Sequence, residues 1–256
     1  MVIREIFPNP TVKQVIFQIR FPILFYIEAK VGDLQMRFMD KFPTSALIFQ
    51  RQMMFAEIGP EQKIEDVTSK FDQEYGRKIW QFKSNENFQL NILQNSLDIT
   101  SSYHKTYDLG SDNNFRDIIE YVLKNFIEII PIPVINRIGL RYVDECPLPT
   151  KDNETLKSYY NSVFPTERFN FADTDEMLFR TTTKKGDYYI TYMETLQKIG
   201  NEYKLILDFD GFANKIQSKD CLKITDELHS IISEEFVNSI KQPVYEYMRR
   251  GRDANE

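Results

Sequence analysis

The feature that most constrains this chain is a pair of short stretches that echo one another: Ile16-Phe17-Gln18-Ile19-Arg20-Phe21 and Arg137-Ile138-Gly139-Leu140-Arg141-Tyr142. In both, apolar and polar residues alternate, and both close on Arg followed by an aromatic residue. A period of two describes a strand with one buried face. Successive side chains point to opposite faces, so Phe17, Ile19 and Phe21 turn inward in one stretch, as do Ile138, Leu140 and Tyr142 in the other. Arg20, Arg137 and Arg141 then share the outward side. Each stretch opens one half of the 256-residue chain.

The same order of elements follows each strand. In the first half the pattern predicts a helix over 24–41 stopped by Pro43 and a strand over 46–55. A polar stretch, 57–74, reads as a loop or short helix. A meander of three strands comes next, at 75–83, from Phe88, and at 97–103. An amphipathic helix over 115–130 closes the half, with Ser111 or Asp112 able to cap its first turn. In the second half a helix over 154–164 precedes strands at 177–183, 188–196 and 203–209. A last helix is capped by Thr225, and Pro243 either ends it or starts a short extension. The predicted fold is α+β, with β-α-β(3–4)-α halves at 1–131 and 132–256 related by internal duplication. Antiparallel sheets carry helices on one face and fuse into one saddle-like surface, a TATA-binding-protein-like topology. Topology does not carry function.

Composition narrows the class. Twenty Phe and 14 Tyr favour half-buried strand surfaces, whereas only 9 Gly argue against glycine-rich phosphate loops. The net charge of −6 is spread evenly: 15 Lys+Arg against 17 Asp+Glu in 1–131, and 17 against 21 in 132–256. Neither half is basic, so no bulk field draws the protein to nucleic acid or anionic lipid. Cys146 and Cys221 read as free thiols of a cytoplasmic protein. Nothing resembles a signal peptide or a membrane span, so no membrane partner is expected.

Several stretches resemble a sporadically distributed bacterial family of uncharacterised proteins. Pro10 to Phe21 is similar to its Pro-x-Val-x-x-Val-x-Phe-x-Ile-Arg-Phe-like first strand. Arg137 to Val143 is similar to its Arg-Ile-Gly-Leu-Arg-Tyr-Val strand, and Leu207 to Asp210 to a Leu-Asp-x-Asp-like strand end. Leu228, His229 and Phe236 match its closing helix. Similar members often carry Asn after Arg-Tyr-Val, where this chain has Asp144. The resemblance implies no activity. Its patchy distribution implies a mobile gene, of the kind that serves phage defence or plasmid maintenance.

Candidate chemistry centres on the outward-facing charges. Arg20, Arg137 and Arg141 offer planar forks suited to phosphate or carboxylate, or to an acidic residue that ties the halves together. Asp208 and Asp210 alternate on one strand, so both carboxylates share a face; they suit Mg²⁺ and phosphoryl chemistry, or pairing with those arginines. The basic and aromatic run from Phe179 to Tyr189 suits base stacking on an open sheet, and equally an ordinary hairpin. His104 and His229 lack any triad spacing and read as packing or surface residues. No Walker loop, dinucleotide fingerprint or zinc spacing is present, so no cofactor, metal set or catalytic residue is assigned. The leading expectation is a non-enzymatic protein that binds another protein or a second copy of itself. The alternatives are nucleic-acid binding through the Arg20/Arg141 face and a metal-dependent nuclease using Asp208 and Asp210.

Overall fold

A computed structural model describes residues 5–50, 77–110 and 114–251. The first half supplies β1 (Val12–Arg20), α1 (Ile27–Phe38), β2 (Thr44–Gln50), β3 (Arg77–Lys83), β4 (Phe88–Leu93), β5 (Ser96–Ser101) and α2 (Phe115–Ile129). The second supplies β6 (Val134–Cys146), α3 (Asn153–Tyr159), β7 (Met177–Lys185), β8 (Tyr188–Ile199), β9 (Glu202–Gln217), α4 (Cys221–Ser239) and α5 (Gln242–Arg249). The expected stretch at 57–74, the end of the expected strand at 46–55, and the caps Ser111 and Asp112 lie outside the described residues.

The nine described strands form one sheet in the order β2-β3-β4-β5-β1-β6-β9-β8-β7, and every pairing is antiparallel. The fold is therefore α+β with a single large antiparallel sheet. The seam between the halves is the β1–β6 pair, where Phe17 lies opposite Leu140 and Ile19 opposite Ile138. These four side chains are fully buried. Past the register shift between Val12 and Gln14, alternation translates directly into burial: Val15, Phe17 and Ile19 face the core, and Ile16, Gln18 and Arg20 face away.

The helices pack on that buried face. Phe38 of α1 meets Phe82 of β3 at 5.8 Å between ring centroids, Phe126 of α2 meets Phe21 at 5.8 Å, and Phe236 of α4 meets Phe209 of β9 at 6.1 Å. In α2 the buried residues Phe115, Ile118, Ile119, Val122, Leu123 and Phe126 recur every three or four positions, which places them on a single stripe against the sheet. The opposite sheet face carries no described helix.

Three expectations need correction. The last helix begins at Cys221, and Thr225 is not its cap: Thr225 is buried inside the first turns and its hydroxyl donates to the Cys221 carbonyl at 2.8 Å. A hydroxyl that bonds back to the i−4 carbonyl needs no outside partner, so the position tolerates burial. Strand β9 runs on to Gln217 rather than ending near Phe209. At Gly211 the strand lies close against α4: a Cβ there would sit 3.1 Å from Ile232 Cδ1. The helix predicted over 154–164 stops at Tyr159, because Tyr160 bridges to Ile240 and its hydroxyl donates to the Pro147 carbonyl. Pro243 starts the extension as the first-turn proline of α5.

Candidate functional site

The sheet register brings Arg137, Arg141, Asp208 and Asp210 together on the face that carries no described helix. Arg141 lies opposite Asp210 and Val143 opposite Asp208 across the β6–β9 pair, so each arginine has carboxylates within reach on the neighbouring strand. The Arg141 guanidinium forks onto Asp208: Nε donates to Oδ1 at 2.8 Å and Nη2 donates to Oδ2. Arg137 Nη2 donates to both oxygens of Asp210, at 2.9 and 2.8 Å, and its guanidinium lies 4.6 Å from the centre of the Phe212 ring. Gly139 makes room for this arrangement, since a Cβ there would fall 2.5 Å from Arg137 Nη1. Forked, charge-assisted bonds of this kind fix both side chains in one geometry.

Arg20 belongs to the same face but not to the cluster. It lies opposite Arg137 on the seam, is exposed, and donates from Nε to Gln18 Oε1 at 2.7 Å. On the first-half side of the seam the face is uncharged for the most part. Gln81 Nε2 donates to Asn91 Oδ1 at 3.1 Å, and Asn91 Nδ2 donates to Asp98 Oδ2 at 2.9 Å. Burial raises the Asp98 pKa, and the bond from Asn91 offsets part of that. Beyond β9 the edge hairpin of β7 and β8 exposes Arg180, Thr182 and Lys184. Thr182 and Thr191 share a hydroxyl–hydroxyl bond of 2.8 Å across it.

This arrangement holds charge; it does not present it. Both carboxylates are occupied by arginine guanidiniums, and among the described residues no group of three or more His, Cys, Asp or Glu is placed to hold a metal ion. His104 is buried in the helix-covered core, and His229 is half-buried on the same side of the sheet. His104 packs edge-on against Phe88, and Ser101 Oγ lies 2.7 Å from its Nδ1. His229 stacks on Tyr107 at 4.2 Å. Burial pushes both down to about 4, so both rings are neutral at pH 7. Cys146 and Cys221 are free and buried, and burial pushes the Cys221 thiol up to about 12, which leaves it unreactive.

The helix-covered face holds a second group that sequence patterns did not bring together. A cavity of about 120 Å³ is lined by Tyr142 and Asp144 of β6, Thr11, His229 and Ile232 of α4, and Met248 of α5. Asp144 is only 2 % exposed and accepts a hydrogen bond from Thr11 Oγ1 at 2.7 Å. Desolvation pushes its carboxyl up to about 7; the Thr11 bond lowers it again, the Asp208 charge raises it and Lys105 lowers it. The one sequence signal here was Asp144 itself, singled out only as the residue that follows Arg141-Tyr142-Val143.

No family model matches this chain, and no curated protein matches it. Among solved structures, the chain is matched to the dehydratase domain of PpsC from Mycobacterium tuberculosis, solved in complex with C12:1-CoA. The identity is 10 %, the match covers 80 % of this chain and 96 % of that one, and the TM-score is 0.19. A likeness at that score carries no argument about fold or activity.

Proposed function

We propose that this protein is a non-enzymatic binding protein that engages another protein through the Arg137/Arg141 face of its sheet. The observation that carries this reading is the self-neutralised lattice at the centre of that face. Arg137 and Arg141 are locked to Asp210 and Asp208, which leaves a rigid polar surface that excludes no partner by net charge. Half-buried apolar side chains lie among these charges, including Ile16, Tyr189, Met193 and Phe212. Mixed surfaces of this kind, with aromatics and arginine near the middle, suit a protein partner. A phosphate backbone would have to displace two carboxylates to reach the arginine forks, which weighs against nucleic acid.

The reading includes a duplicated, TATA-binding-protein-like scaffold. Outward from the seam the strands run β1, β5, β4, β3, β2 on one side and β6, β9, β8, β7 on the other, so each half gives its first strand to the seam and its last strand to the next place. Aligning the two opening motifs sets Ile16 on Arg137, Arg20 on Arg141 and Gln18 on Gly139. Gln18 and Gly139 are themselves partners in the ladder. A two-fold axis through that pair exchanges Arg20/Arg137 with Arg141/Ile16, as a duplicated origin requires. Membership of a mobile defence module is part of the same proposal and rests on the sequence resemblance alone.

The test is sedimentation of the chain with the product of the gene beside it, and with a short DNA duplex at low salt. Complex formation with the protein, lost on Arg20→Glu together with Thr182→Arg, is the expected result. A complex indifferent to those exposed substitutions, or binding to DNA alone, would overturn the reading.

A further inference from the structure

We propose that the cavity between the sheet and helices α4 and α5 is a binding site for a small uncharged molecule. Its ligand is mostly apolar and carries one hydroxyl, which accepts a hydrogen bond from Tyr142 and donates one to Asp144. The site lies on the opposite side of the sheet from the protein-binding face and is independent of it.

Two separate observations point to a ligand. One is the cavity itself, whose volume of about 120 Å³ is close to that of the dry engineered cavities, about 150 Å³, that take up benzene. The other is the Tyr142 hydroxyl. Tyr142 is 7 % exposed and lines the cavity, yet among the described residues its Oη has no hydrogen-bond partner. A buried hydroxyl left unbonded costs on the order of 1–3 kcal/mol, so a native site that keeps one calls for an occupant.

The chemistry of the walls selects the class. Burial and the nearby charges of Asp144 and Asp108 raise the Tyr142 pKa far above its ordinary value, so the phenol stays protonated and acts as a donor. Asp144 stands two residues further along the same strand and lines the same cavity, with Thr11 bonded to one of its oxygens. A donor beside an acceptor matches a group that both accepts and donates, which is what a hydroxyl does. The remaining walls are apolar: Ile232, Phe236 and Met248 are buried, and the His229 ring is held flat against Tyr107. A carboxylate ligand would meet Asp144 and Asp108. An ammonium would lose its hydration beside Lys105, whose Nζ donates to the Val12 carbonyl at 2.7 Å at the cavity rim. The ligand is therefore neutral. The lining reaches the surface at Ile6, which is exposed, and this gives a route of entry.

Phenol and toluene are the probes, titrated calorimetrically into the full chain and into Tyr142→Phe. They share size and shape and differ in the hydroxyl. The expected result is saturable phenol binding to the unmodified protein, at least tenfold tighter than toluene, with that advantage abolished in Tyr142→Phe. No saturable phenol binding, as for a cavity that only holds water, overturns the proposal. So does a phenol-to-toluene ratio near one, or an unchanged phenol affinity in Tyr142→Phe. If circular dichroism shows that this variant does not fold, the phenol-to-toluene ratio in the unmodified chain decides alone.

Discussion

Asp208 and Asp144 sit on neighbouring strands, on opposite faces of one sheet, and are almost equally buried, at 6 % for the Asp208 side chain and 2 % for Asp144. Their partners differ. Asp208 receives the forked guanidinium of Arg141, whereas Asp144 receives one hydroxyl from Thr11. A forked cation can offset the cost of stripping water from a carboxylate; one neutral hydroxyl cannot, and Asp144 is pushed up to about 7. Burial alone therefore does not fix an acid's surroundings: Asp208 sits in an ion pair on the outer face, and Asp144 sits beside a neutral hydroxyl inside, where its pKa rises.

The largest effect expected is at the charged end of that comparison. Arg141→Ala strands the Asp208 carboxylate and should lower the unfolding free energy in urea by about 3 kcal/mol. Arg141→Met with Asp208→Leu, which removes both charges, should recover most of it. If the single variant loses less than about 1 kcal/mol, the ion pair is not what holds Asp208.

Asp144→Asn tests the other end. The native carboxyl has its pKa raised from 3.8 to about 7, so the folded state holds its proton more tightly than the unfolded one. Its contribution is fully favourable below about pH 4 and falls away as pH rises through 7. His104 and His229, lowered to about 4, run the opposite way, so the comparison is made against the parent at each pH. The asparagine variant should match the parent near pH 4 and exceed it at pH 8 by on the order of 4 kcal/mol. Equal stability at both pH values would show that Asp144 does not titrate.

Two smaller effects grade the open face. Arg137→Ala removes a partly exposed pair and the contact with Phe212, and should cost about 1–2 kcal/mol in the same urea titration. Arg20→Ala, bonded only at the surface to Gln18, should change stability by less than about 0.5 kcal/mol. A larger loss at Arg20 than at Arg137 would reverse the ranking that the geometry implies.

Much of this was legible in the chain because it depends on a period of two. Alternation at Val15 to Phe21 and at Ile138 to Tyr142 placed the core residues inward and the arginines outward, and the spacing of Asp208 and Asp210 put both carboxylates on one face. Pairing them with Arg141 and Arg137 in particular needs the β6–β9 register, which no local pattern encodes. The cavity was less legible still. Thr11, Tyr142, His229 and Met248 come from four distant places, and the Tyr142 hydroxyl looks like any strand tyrosine until the helices are laid over it. The run of β9 past Phe209 was hidden for a related reason: nothing local marks Gly211 as a contact with Ile232 of α4 through which the strand continues.

The seam also has a bearing on how the chain reaches this state. Strand β1 is bordered by β5 on one side and by β6 on the other, and Phe17 finds Leu140 across 122 intervening residues. A pairing so distant closes late, because a long loop must be ordered before the contact repays it. Until β6 arrives, β1 is the unpaired edge strand of the first half's five, with Val15, Phe17 and Ile19 alongside. An edge of that kind is a template for mispairing. During synthesis it stays open until the second half emerges, and it is the interval in which a chaperone would find most to hold.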